Sequence, residues 1–99
     1  MEVRIQSIQF DATNQLRDFI QKKVAKLEKF YDEIITAEVT LKVVKPKTVE
    51  NKEAGIKLIV RNDELYSNRV CDSFEQAIDE CASALEKQLT KYKEKTRAK

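Results

Sequence analysis

From Ile34 to Lys45 the chain alternates, with Ile35, Ala37, Val39, Leu41 and Val43 on one side and Thr36, Glu38, Thr40 and Lys42 on the other. An extended strand turns successive side chains to opposite faces, so this segment predicts a strand with one dry face and one wet face. A dry sheet face has to be covered by another layer of the same chain. Two segments can cover it. After Thr13, a suitable N-cap, Leu16, Ile20, Val24, Leu27 and Tyr31 recur at spacings of four and three, with Phe19 and Phe30 on the flank. This is an amphipathic helix of about five turns. After Asp72, read as an N-cap with Glu75 three residues on in a capping-box-like arrangement, Phe74, Ile78, Cys81, Leu85, Leu89 and Tyr92 repeat the pattern to about Lys95.

Three more strands complete the set. Val3 and Ile5, then Ile8 and Phe10 after a phase slip at Ser7, predict a first strand over 2–9. Ile56, Leu58 and Val60 alternate with Lys57 and Arg61, and Asn62-Asp63 supplies turn chemistry before a weaker strand from Leu65 to Val70. Pro46 to Glu53 is polar and aperiodic and reads as a mobile connection. The expected fold is therefore α+β, in the order β-α-β-β-β-α: a four-stranded antiparallel or mixed sheet with both helices packed on one face. Thr36, Glu38, Thr40, Lys42 and Lys57 should meet water on the other face.

Ninety-nine residues, 41% apolar and 36% charged with one glycine and one proline, suit a single helix-rich domain. No apolar run approaches the roughly 20 residues of a membrane span. The N-terminus enters polar–apolar alternation at once, without the apolar stretch of a secretory signal, so a cytoplasmic protein with no membrane partner is expected. Cys71 and Cys81 are too few for a disulfide scaffold or a zinc site, and both read as buried thiols. With no histidine there is no ordinary catalytic triad, and with Gly55 as the only glycine there is no phosphate-cradling loop. Adjacent Asp79 and Glu80 point in different directions on a helix and cannot form an acid–base pair alone. The expectation is a protein that is not an enzyme and uses no metal, cofactor or small-molecule substrate.

Charge is informative only once it is placed. The net charge is +2, yet Asp72 to Glu86 holds five acidic residues and no basic one, whereas Lys87 to Lys99 holds six basic residues against Glu94. On a helical wheel Lys22, Lys26 and Lys29 share one side of the first helix, with Lys23 nearer the apolar edge. Lys87, Lys91 and Lys95 share one side of the last helix, while Lys93 and Arg97 point away. Part of this polarity complements the helix macrodipole. Like charges four residues apart nevertheless repel by a few tenths of a kcal/mol, so stability alone does not favour two such stripes. A phosphate backbone would neutralise them. Of the tyrosines, Tyr31 and Tyr92 lie on apolar helix faces as rim-of-core residues and Tyr66 is undecided. No aromatic pair sits on a strand as in an RNA-recognition-motif sheet, so phosphate and shape recognition fit better than base-by-base reading.

Several segments carry a family resemblance. They are Leu16-Arg17-x-Phe19 with Lys23-x-Ala25-Lys26-Leu27-Glu28, Val39-x-Leu41-Lys42-Val43, Asp72-x-Phe74-x-x-Ala77-Ile78-Asp79, and the run Gln88-Leu89-Thr90-Lys91-Tyr92-Lys93-Glu94-Lys95. In this order the chain resembles the short ribosome hibernation promoting factors, the ribosome-associated inhibitor group also labelled sigma-54 modulation proteins. The resemblance implies the same topology, close to a double-stranded RNA-binding domain with an added first strand. It also implies a single ribosome-binding domain over 1–95 followed by a charged tail over 96–99. Such a protein lodges in the messenger and transfer RNA channel of the small ribosomal subunit and blocks translation by occupancy. The matching basic positions are Lys23, Lys26, Lys87, Lys91, Lys93 and Lys95; Lys22 and Lys29 come from the wheel. The expected partners are the small subunit, its ribosomal RNA and the whole ribosome, with a monomer off the ribosome. The chain is expected to lack the C-terminal dimerisation domain of long members, so that pairing ribosomes would need another factor. The 46–53 loop and the bulky fourth strand Leu65-Tyr66-Ser67-Asn68-Arg69 depart from the family pattern. Two alternatives stay open: a sigma-factor type protein-interaction modulator docking through the acidic half of the last helix, and a general double-stranded RNA-binding module.

Overall fold

The computed structural model describes residues 1–8, 11–44 and 51–97. Four strands, Glu2–Ile8 (β1), Ile34–Val43 (β2), Lys52–Val60 (β3) and Asp63–Cys71 (β4), form one sheet in that order. Two helices, Asn14–Ala25 (α1) and Phe74–Arg97 (α2), cover one face of it. The architecture is the α+β arrangement expected, and the sheet is mixed. β1 pairs in parallel with β2, as the α1 crossover between them requires, while β2–β3 and β3–β4 are antiparallel. Two antiparallel steps make β4 parallel to β2, so α1 and α2 both return against the strands and run in the same direction.

Local signals set the helix ends. Thr13 Oγ1 accepts the Leu16 amide at 3.1 Å and starts α1. The expected five-turn helix is shorter and tighter than its periodicity implied: α1 stops at Ala25 and a 3-10 turn follows over Lys26–Lys29, which still delivers Leu27 and Tyr31 to the core. At α2 the cap is Ser73, not Asp72. β4 runs to Cys71, which leaves Asp72 in the bend, and Ser73 Oγ accepts the Gln76 amide at 3.1 Å. The capping-box spacing is therefore Ser73 to Gln76.

The core lies between helices and sheet. Ala37, Val39 and Leu41 of β2 and Ala54, Ile56 and Leu58 of β3 meet Ile20, Val24 and Leu27 from the first helical segment and Ile78, Leu85 and Leu89 from α2. Cys71 and Cys81 are buried free thiols, as expected. Cys81 Sγ donates to the Ala54 carbonyl at 3.3 Å, and burial pushes its pKa up to about 11.

Three positions depart from the alternation. A register shift between Ile34 and Thr36 turns Ile34 into the core and leaves Ile35, expected on the dry face, 57% exposed. The bulge adds one residue and so reverses the phase at the start of β2. Thr36, expected in water, is buried on the open face between Glu2 and Ile59. Finally, the β3–β4 turn is Arg61-Asn62, with Asn62 at φ 72° and Asp63 already paired to Val60. Asn tolerates the left-handed region that such a two-residue hairpin demands.

The expected connection over 46–53 is partly strand, since β3 begins at Lys52 and the Val44 amide donates to the Asn51 carbonyl at 2.8 Å; 45–50 lie outside the described residues, as do Gln9 and Phe10. α2 runs to Arg97, two residues into the expected tail; Ala98 and Lys99 are outside the described residues. Its 24 residues span about 36 Å at 1.5 Å per residue. Beyond Tyr92 it carries exposed Glu94 and Lys95, past the core.

Candidate nucleic-acid interface

The two helices lie side by side. Lys23 Nζ reaches Asp79 Oδ1 of α2 at 2.7 Å, and Phe30, at the end of the 3-10 turn, borders a groove with Glu86, Lys87, Thr90, Lys91 and Glu94 of α2. Parallel helices joined at these two levels place the first lysine stripe beside the first half of α2. The α2 lysines continue beyond the point where the first helical segment ends. The stripes are thus staggered: from the level of Lys22 to Lys95 they extend about 25 Å along α2. The groove beside Phe30 is lined by Lys87 and Lys91 of the second stripe.

Not all eight predicted lysines are equally available. Lys22, Lys26 and Lys29 are exposed, as are Lys87, Lys91 and Lys95. Lys23 is partly buried, tied to Asp79 and poised 5.7 Å from the Phe19 ring centroid. Lys93 is half-buried and already engaged by the rest of the protein. Six exposed ammonium groups therefore form the candidate surface, and Lys23 joins the helices.

Helical-wheel reasoning did not capture the acidic residues within this surface. Glu86 and Glu94 border the groove beside Phe30, and Asp79 sits level with Lys23. The spacing of Glu86, Thr90 and Glu94 carried that signal, since all three share one helix face with Lys87 and Lys91 close by. Glu80, on the opposite flank of α2, accepts hydrogen bonds from Cys71 Sγ and Gln76 and lies 3.9 Å from Arg69.

The aromatics sort themselves by burial. Tyr31 is buried, donates its hydroxyl to Glu33 at 2.9 Å and meets Tyr92 edge-on at 5.3 Å; Tyr92 donates to the Arg61 carbonyl at 3.1 Å. Both are structural. Tyr66 is 56% exposed on the open face of the sheet, with its hydroxyl above Gly55, far from both lysine stripes. Among the described residues no cluster of three or more Cys, Asp or Glu is placed to hold a metal ion, and no helix is long and apolar enough to cross a membrane.

Residues 3–97 match the family described as Sigma 54 modulation protein / S30EA ribosomal protein. The chain belongs to that family. It is 35% identical over 95 residues to a ribosome hibernation promoting factor of Azotobacter vinelandii, covering 96% of this chain and 85% of that protein. It is 34% identical to the ribosome hibernation promoting factor of Escherichia coli K12, covering 96% of each. A ribosomal subunit interface protein from Coxiella burnetii shares the fold, with a TM-score of 0.83 over 94% of this chain and 98% of that one at 22% identity. The N-terminal domain of Thermus thermophilus Protein Y does so with a TM-score of 0.80 over 93% of this chain and 99% of that one, again at 22% identity. Family membership gives the lysine geometry a context. Relatives that share the whole domain are named for ribosome hibernation, and this member exposes lysines on both helical segments.

Proposed function

We propose that this chain is a cytoplasmic ribosome hibernation factor that binds the RNA of the small ribosomal subunit through its two lysine stripes and blocks messenger and transfer RNA by occupying their channel. The single observation that carries this reading is that Lys22, Lys26, Lys29, Lys87, Lys91 and Lys95 are all exposed on two helical segments that run in parallel and are joined side by side at Lys23 and Asp79. Six cations over about 25 Å suit a phosphate backbone, which places one charge per few ångströms. Lys23 and Lys93 contribute less: Lys23 is paired with Asp79, and Lys93 is half-buried. The function is steric, with no reaction and no cofactor, and the protein is a monomer off the ribosome.

The relatives named ribosome hibernation promoting factors favour this reading over a general duplex-RNA binder and over the sigma-factor partner that the family description also names. Co-sedimentation of the purified protein with small subunits tests it. The expected result is close to one copy per subunit, displaced by messenger and transfer RNA together. Binding to any A-form duplex with equal affinity would favour the general module instead. A complex that persists without ribosomes or RNA would favour the protein partner.

A further inference from the structure

We infer that the groove between Phe30 and α2 is a pocket for one unpaired guanine base of the bound RNA. This deepens the proposed ribosomal function and rests on it. The groove, of about 430 Å³, has Phe30 on one side and Glu86, Lys87, Thr90, Lys91 and Glu94 of α2 on the other. Its size falls in the range of sites that hold small planar ligands. Phe30 is half-buried, so its ring is anchored in the protein while part of it borders the groove.

The chemistry of the lining is mixed in a way a phosphate site is not. Lys87 and Lys91 supply cations for the strand on either side of the groove. Glu86 and Glu94, two turns apart on α2, repel a phosphate that enters the groove itself. What carboxylates accept is N–H donors. Guanine offers two adjacent donors, N1–H and the N2 amino group, matched to the two oxygens of one carboxylate. Adenine offers an amino group between two acceptors, cytosine an amino group beside the acceptor N3, and uracil a single N–H between two carbonyls. Single-stranded RNA is read in this manner, by stacking an unstacked base on an aromatic side chain and bonding its Watson–Crick edge. Thr90, between the two carboxylates in sequence, has its hydroxyl turned back to its own helix, donating to the Glu86 carbonyl at 2.9 Å.

Kethoxal, which reacts with N1 and N2 of unpaired guanine, tests the inference on small subunits carrying the full chain. The expected result is a guanine shielded by the bound wild-type protein. The double variant Glu86→Gln/Glu94→Gln should still co-sediment, since it loses only negative charge, yet re-expose that guanine at least fivefold. Phe30→Leu, which keeps apolar bulk but no ring face, should also re-expose it about fivefold or more, and Phe30→Tyr should not. Unchanged shielding in the double variant, or a bound protein that shields no guanine, overturns the inference and leaves the ribosomal reading standing. A chain that never co-sediments overturns both.

Discussion

Two buried titratable residues make the fold sensitive to alkali. Cys81 has its pKa raised to about 11, chiefly by burial, and Tyr31 to about 12, chiefly by burial and then by its hydrogen bond to the Glu33 carboxylate. Each keeps its proton in the folded protein at a pH where the unfolded chain loses it. Their contribution is fully present below about pH 9, where both states are protonated, and is lost as pH climbs towards 11 for Cys81 and 12 for Tyr31. Two pKa units correspond to at most about 2 to 3 kcal/mol for Cys81, and to less for Tyr31, whose hydroxyl lies at the rim beside the exposed Glu33 and is screened by solvent. Urea unfolding from pH 7 to 11 should show stability level to about pH 9 and then falling, with a smaller fall in Tyr31→Phe and Cys81→Ala. The same burial predicts that the Cys81 thiol stays unreactive to maleimide until the protein unfolds. At this scale the sequence was legible where a residue's face decided its fate. Cys81 and the rim tyrosines were readable from helical spacing, whereas Ile35 and Thr36 were not, because one inserted residue at the head of β2 reverses the strand's phase and leaves no trace in the alternation.

At the scale of the elements, caps and the link between helices carry the testable claims. Thr13→Ala and Ser73→Ala each remove a side-chain acceptor from a helix start and should each cost about 1 kcal/mol in denaturant unfolding. Lys23 and Asp79 form a partly exposed pair, worth under about 1 kcal/mol. Lys23→Met should therefore leave stability nearly unchanged and weaken ribosome binding less than Lys26→Met, because the Lys23 charge is already matched. Element order and type were legible from periodicity alone, since each helix presents a continuous apolar stripe. The 3-10 turn after Ala25 was hidden, since its Leu27 and Tyr31 still fall on the apolar face. The Asp72 cap was misread because Asp and Ser are both good caps, and the end of β4 chooses between them.

For the whole molecule, two helices running in the same direction set two short lysine stripes in stagger, as a strip with Glu86 and Glu94 among its lysines, along a body 49 Å long and 23 by 19 Å across. The lysines could be named from the wheel. Their stagger could not, because it depends on β1 and β2 being parallel, which is a property of pairing and not of any one segment. The carboxylates at the groove were likewise invisible until Phe30 and α2 came together. The central claim is that this strip, and not another face, meets ribosomal RNA. It is tested most directly by the salt dependence of small-subunit binding for the wild-type chain and for Lys26→Glu/Lys91→Glu. Neutralising about six phosphates predicts a slope of log affinity against log salt near −4 to −5, and reversing one exposed lysine in each stripe should weaken binding strongly and flatten the slope to about −3 with the fold intact. An unchanged affinity and slope in that variant would contradict the account.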